Sequence, residues 1–172
     1  MSIYEEQKAV KPKIEDVAGD YLSGDKLQEL LGFAAFLRDN KLTPRWQSVN
    51  SWSVKYKNKL VCYVKINAHF GEAYVEGSWF VSHSNFTREK WFGGYEDFMT
   101  DEAVKNFVLD NIQAPVCAEK GCQGVRDKVI FGKKFDAVCN CWCLRLQNLS
   151  GEPLELEKRL VLSIRDFIGT LA

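Results

Sequence analysis

The feature that most constrains this chain is a change of hydrophobic period near Trp46. Upstream, Leu27, Leu30, Leu31, Ala34 and Leu37 recur at helical spacing behind Ser23, which stands where an N-cap belongs. Phe33 and Phe36 fall off that stripe, so this helix is apolar nearly all round and is expected to be deeply packed. Downstream the period is two. Trp52, Val54 and Tyr56 alternate with polar residues, Lys57-Asn58 offers a tight turn, and Leu60, Cys62, Val64 and Ile66 alternate again. Strands joined by connections too short for crossover helices predict antiparallel neighbours, and a sheet with one apolar face needs helices to cover it.

Apolar periods mark further elements along the chain. A third strand is expected over residues 73–81, with Ala73, Val75, Trp79 and Val81 on one face and Gly77 as a bulge. Thr100 can cap a helix whose first turn carries Asp101 and Glu102, whose stripe is Val104, Phe107, Val108 and Ile112, and which Pro115 ends. Residues 114–126 read as a loop. Residues 135–146 read as a strand in which Val138, Trp142, Leu144 and Leu146 point one way and Cys139, Cys141 and Cys143 the other. Pro153 opens a last helix with Leu160, Val161, Ile164, Phe167, Ile168 and Leu171 on its stripe and Glu155 placed to pair with Arg159. Lys11-Pro12-Lys13 interrupts any helical pattern at the start, so residues 1–20 are expected to form a flexible arm and residues 21–172 a single domain. The fold class is α+β: an antiparallel sheet of about four to five strands covered by about three helices.

Charge excludes some functions. Lys plus Arg and Asp plus Glu number 23 each, so there is no surplus of cations to hold a nucleic-acid backbone. The longest apolar run, residues 30–37, is far shorter than the roughly 18 residues a membrane span needs, and Glu5, Glu6 and Lys8 stand where a secretory leader would be apolar. A cytoplasmic protein is expected.

Six cysteines then carry most of the chemical content, because outside an oxidising compartment such thiols serve as metal ligands or free thiols. Cys117 and Cys122 are separated by four residues including Gly121, a length that can close a loop around an ion. Cysteines alternating on one strand lie about 6.6 Å apart at the backbone. A structural zinc site is therefore expected from Cys117, Cys122, Cys139 and one of Cys141 or Cys143. Its rivals are ordinary thiols and a reversible Cys117/Cys122 dithiol with Lys120 favouring the thiolate. Cys62, alternating with Leu60 and Val64, reads as core.

His69 and His83 lie near strand ends and could meet at one rim of the sheet to bind a metal or move a proton. Ser82-His83-Ser84 does not make a hydrolase, because adjacent strand residues face opposite ways and there is no Gly-x-Ser-x-Gly elbow. Gly93-Gly94 and Gly121/Gly124 lack the setting of a phosphate loop. Of the 22 aromatics, 13 fall between Trp46 and Phe98, more than strand spacing requires. They either form an aromatic core or line a small-molecule pocket with Tyr74, Glu76, Trp79, Trp91 and Tyr95, in which Glu76 is the polar anchor. Lys55, Lys57, Lys59 and Lys65, interleaved with Tyr56 and Tyr63, make a basic stripe; in a neutral chain it reads as protection of an exposed sheet edge.

The stretch Trp52-Ser-Val-Lys-Tyr-Lys-Asn-Lys-Leu-Val-Cys-Tyr-Val-Lys-Ile-Asn-Ala-His69, behind a leucine-rich helix, resembles the hairpin of small uncharacterised bacterial YdhG-like domains. The resemblance covers the first half of the chain and implies a compact α+β fold with no catalytic residues to carry over. The expected function is a non-enzymatic module that binds a small molecule or a protein partner, with structural zinc; a thiol redox protein is the alternative, and a metal-dependent enzyme using His69 or His83 a third.

Overall fold

The computed structural model describes residues 2–67, 69–70, 73–88, 90–114, 125–139 and 143–171. In chain order the elements are α1 (Ile3–Val10), α2 (Ile14–Tyr21), α3 (Gly24–Asp39), β1 (Pro44–Ser48), β2 (Ser51–Tyr56), β3 (Lys59–Ile66), β4 (His69–Phe70), β5 (Ala73–Tyr74), β6 (Trp79–His83), α4 (Asn85–Arg88), a 3-10 turn (Lys90–Gly94), α5 (Tyr95–Phe98), α6 (Glu102–Asp110), β7 (Val125–Ile130), β8 (Lys133–Cys139), β9 (Leu144–Gln147) and α7 (Gly151–Thr170). The α+β class is as the sequence predicts.

Five strands form one antiparallel sheet in the order β1-β2-β3-β6-β9. The β2–β3 turn falls at Lys57-Asn58, both with positive φ (44° and 64°), the backbone that two-residue hairpins require. In register across the sheet, Trp46, Trp52, Val64, Val81 and Leu146 lie side by side. Paired residues share a face, so this row is the sheet's apolar floor. Trp52, Val64, Val81 and Leu146 are buried in one core with Leu30, Phe33 and Leu37 of α3 and Leu160, Val161 and Ile164 of α7. Burying each of these large side chains contributes about 1.5–3 kcal/mol.

Several expectations change. The segment expected as a loose arm is structured from Ser2 onward: residues 3–10 and 14–21 are helical, and polar contacts fasten them to the sheet. Buried Gln7 donates to Asn50 Oδ1 at 2.7 Å and accepts from the Asn50 N–H at 2.9 Å, while Trp52 Nε1 donates to the Pro12 carbonyl at 2.7 Å. Pro12 separates two helices instead of preventing one. The third strand is split into β5 and β6, with Gly77 at φ 60° between them. The expected strand over 135–146 is also two, β8 and β9, in different sheets, so Cys139 and Cys143 do not share a strand. β8 pairs instead with β7 through a turn at Phe131 and Gly132 (φ 47° and 75°). Asp101, not Thr100, caps α6, accepting from the N–H groups of Ala103 and Val104. Arg159 pairs with that same Asp101, and Glu155 pairs with Lys158.

Candidate functional site

Alternation that sends one set of strand residues into the core sends the other set to the opposite face. There Arg45, Ser53, Tyr63, Ser82 and Arg145 are registered partners, one from each strand, forming a continuous row. The next row holds Ser51, Lys65, Phe80 and Gln147. The five strands together carry Arg45, Lys55, Lys59, Lys65 and Arg145 and not one Asp or Glu. In a chain whose charges balance overall, this segregation gives the strands themselves five positive charges and no negative one.

The face is also partly dry. Ser51, Ser53 and Ser82 are buried, and the Ser82 hydroxyl, on a residue 1% exposed, finds no hydrogen-bond partner among the described residues. A buried hydroxyl without a partner is costly, so such a group stands ready for one. Burial lowers the Lys65 ammonium to about 8, and burial likewise lowers the Arg145 guanidinium, against which the neighbouring Cys139 pulls in the other direction. Along the hairpin the face opens into a cleft of about 310 Å³ lined by Lys55, Asn58, Lys59, Leu60, Tyr63 and Trp91. Lys59 Nζ lies 5.4 Å from the Trp91 ring centre, which holds both groups at the cleft wall. Hydroxyls, guanidinium groups and ammonium groups are donors, so this surface can receive a carboxylate or phosphate.

The basic stripe does not lie on a sheet edge. β2 and β3 lie inside the sheet; its edges are β1 and β9. Of the stripe, Lys57 donates to the Gly169 carbonyl at 3.3 Å, while Lys55, Lys59 and Lys65 belong to the polar face and its cleft.

The predicted pocket residues do not line one pocket together. Trp79 is fully buried against Phe33 at 5.9 Å, Tyr95 stacks on Phe92 at 4.3 Å in a cluster closed by Phe167, Trp91 lines the cleft, and Glu76 is exposed. Burial pushes the Tyr95 phenol well above its ordinary value. Tyr74 and His69 are placed by backbone in β5 and β4, and their side chains lie outside what is described. The aromatic surplus is spent largely on core.

His83 does not stand at a rim. It is fully buried with Glu157 of α7, Nε2 to Oε1 2.9 Å, while Nδ1 contacts the Val61 carbonyl at 3.0 Å. A carbonyl can only accept, so Nδ1 carries a proton, and one further proton is shared between Nε2 and the carboxyl. Ser82 lies on the opposite face, and the two do not form a catalytic pair.

Of the zinc candidates, Cys117, Cys122 and Cys141 lie outside the described residues. Cys139 and Cys143 are both buried. Gln113 bridges them through backbone: its N–H donates to the Cys143 carbonyl at 2.8 Å and its carbonyl accepts from the Cys139 N–H at 3.1 Å. Burial pushes the Cys143 thiol up to about 12, and its Sγ donates to the His83 carbonyl at 3.1 Å. Burial also pushes the Cys62 thiol well up. Among the described residues no three His, Cys, Asp or Glu side chains come together as metal ligands, and no described helix is long and apolar enough to cross a membrane.

No family model, curated protein or solved structure matches this chain.

Proposed function

We propose that this chain is a binding domain, without catalysis of its own, that receives a small anionic molecule on the polar face of its five-stranded sheet. One observation carries this reading: five cations and no carboxylate on the strands of a charge-balanced chain. Arg145 and Lys65 supply charge, and Ser82, whose hydroxyl is unsatisfied among the described residues, is paired in register with Arg145 on one side and Tyr63 on the other. The rows meet the hairpin cleft of about 310 Å³ at Tyr63, where Lys55 and Lys59 add two more cations, and that volume is close to the lower end of ligand pockets.

Zinc is part of the same proposal, as a structural ion held by Cys117, Cys122, Cys139 and one of Cys141 or Cys143. Supporting it, Gln113 is bonded to the backbones of both Cys139 and Cys143 and stands four residues before Cys117. A four-residue reach is short enough for Cys117 to join two buried sulfurs.

A thermal-shift series tests the binding reading. Benzoate, a phosphomonoester and a dicarboxylate are expected to raise the melting temperature, with the gain lost in Lys65→Met and Arg145→Met. Equal shifts from cationic compounds, or anion shifts that persist in both variants, would sink the idea. Metal analysis of protein purified without added zinc tests the second part: less than about half an equivalent overturns it.

A further inference from the structure

The N-terminal helix pair leaves a groove that the fold does not use. α1 offers Ile3, Glu6, Gln7 and Val10 at intervals of three and four, and α2 offers Asp16, Val17, Asp20 and Tyr21. These two helical faces open onto about 640 Å³ of space. Ile3 is 46% exposed and Val10 72%, and with Tyr4 they make three of the five large apolar side chains exposed among the described residues. Concentrating them on one eight-residue helix is not the scattered exposure ordinary surfaces show.

This helix is held in place without burying those residues. Gln7 fixes α1 through Asn50 and through Trp46, whose Nε1 donates to Gln7 Oε1 at 3.2 Å. Tyr4 packs on the Trp46 ring at 6.3 Å outside the groove, which leaves Ile3 and Val10 spare. The groove's rim adds a sign: Glu6, Asp16 and Asp20 line it, and no Lys, Arg or His does. None of the three acids has a salt-bridge partner among the described residues.

We propose that this groove docks a short basic amphipathic helix of another protein. Apolar residues at i and i+3 or i+4 of such a helix would sit on Ile3, Val10, Val17 and Tyr21, while lysines or arginines flanking them meet Glu6, Asp16 and Asp20. Each wall is eight residues long, about 12 Å of helix, so the groove takes roughly two turns of a partner. The polar sheet face, which is positive, would repel the same peptide. The two surfaces therefore select ligands of opposite charge.

The test uses the whole chain and two synthetic twelve-residue peptides with leucines at the same helical positions, one filled with lysine and the other with glutamate. Titration followed by amide chemical shifts is expected to show binding of the lysine peptide alone, with shifts confined to residues 3–21. Glu6→Lys with Asp20→Lys is expected to weaken it at least about tenfold, or about 1.4 kcal/mol, and Val10→Glu to remove it; circular dichroism confirms that these surface variants remain folded. Equal binding of both peptides, binding of neither, or shifts mapping elsewhere would overturn the proposal. So would a dimer of the free chain in sedimentation equilibrium that Val10→Glu dissolves, since the occupant would then be a second copy.

Discussion

Replacing His83 by leucine should be among the most damaging single changes this chain can suffer, and replacing Glu157 by glutamine among the mildest of buried polar ones. Both side chains are completely buried. Nδ1–H of His83 donates to a carbonyl, so only one proton lies between Nε2 and the Glu157 carboxyl, whichever group formally owns it. The amide introduced by Glu157→Gln would present an N–H at the same place and of nearly the same shape, keeping that bond; its cost should be below about 1 kcal/mol. Leucine in place of His83 is different. The Val61 carbonyl keeps its second donor, Asn85 Nδ2 at 2.9 Å, so the loss falls on Glu157, whose other oxygen has no partner among the described residues. Breaking a buried pair by removing one member costs about 3–5 kcal/mol, a large part of the roughly 5–15 kcal/mol that holds a domain together. The double variant His83→Leu/Glu157→Met removes the stranded carboxyl and should recover much of that loss. Urea unfolding at pH 7 measures all three, with an unchanged m-value confirming that only stability moved. If Glu157→Gln costs as much as His83→Leu, the neutral shared-proton description is wrong and the carboxylate charge itself is required.

Further outcomes follow from the same geometry. Lys65 titrates near 8 in the folded chain against an ordinary value of 10.5. Its ammonium is therefore lost first in the folded state, so anion affinity measured by calorimetry should fall as pH rises through about 8, and Lys65→Met should flatten that profile. For stability the sign is opposite: between about 8 and 10.5 the unfolded chain binds more protons at this group, so its contribution to stability increases with pH. With burial raising both Cys62 and Cys143, alkylation of the native protein at about pH 8 should label these two far more slowly than after unfolding, and equal rates would contradict their burial. Gly132→Val places a branched side chain at φ 75°, where nothing lies within 4 Å of the new Cβ, so a cost of about 1–2 kcal/mol by urea unfolding would be conformational alone.

What could be read from the chain divides by the range over which its cause acts. The helix behind Ser23, the Lys57-Asn58 hairpin and the last helix are legible because their apolar periods are local and one face of each must be buried. α1 and α2 also had local signals, in Ser2 with Glu5 and in the Asp16 carboxylate that accepts from the Lys13 N–H at 2.7 Å, but neither has a strong apolar stripe to draw attention. The polar rows needed strand register: Arg45 and Arg145 are a hundred positions apart, and only pairing through Ser53, Tyr63 and Ser82 aligns them. The missing clue was compositional, the exclusion of Asp and Glu from all five strands. Glu157 was hidden for the same reason, since it reads as the polar side of a helix until its partner 74 positions away is known. Splitting the expected third strand at Gly77 and the cysteine strand beyond Cys139 reflects a further limit: alternation persists across a break when both halves meet the same core.

The two polar systems also explain one another. Every residue of β6 is buried, so apolar burial alone distinguishes its two faces weakly: Trp79 and Val81 face the main core, but Phe80 is buried on the other side. A slip by one residue would exchange the faces. It would carry Phe80 and Ser82 toward α7 and leave Glu157 without a nitrogen, while Trp79, Val81 and His83 would replace Phe80 and Ser82 in the rows shared with Tyr63, Lys65 and Arg145. The exchange would take Trp79 and Val81 out of the main core and break the bonds of the Trp79 backbone to Asn148, and His83 adds to that cost. Its bonds to Val61 and Glu157 are directional and exist in one register only. The buried pair thus helps to keep Ser82 on the polar face. His83→Leu should therefore lower anion affinity under conditions where the variant is still folded, and Glu157→Gln should not. Wild-type affinity in a folded His83→Leu protein would separate the pair from the site and leave it a matter of stability alone.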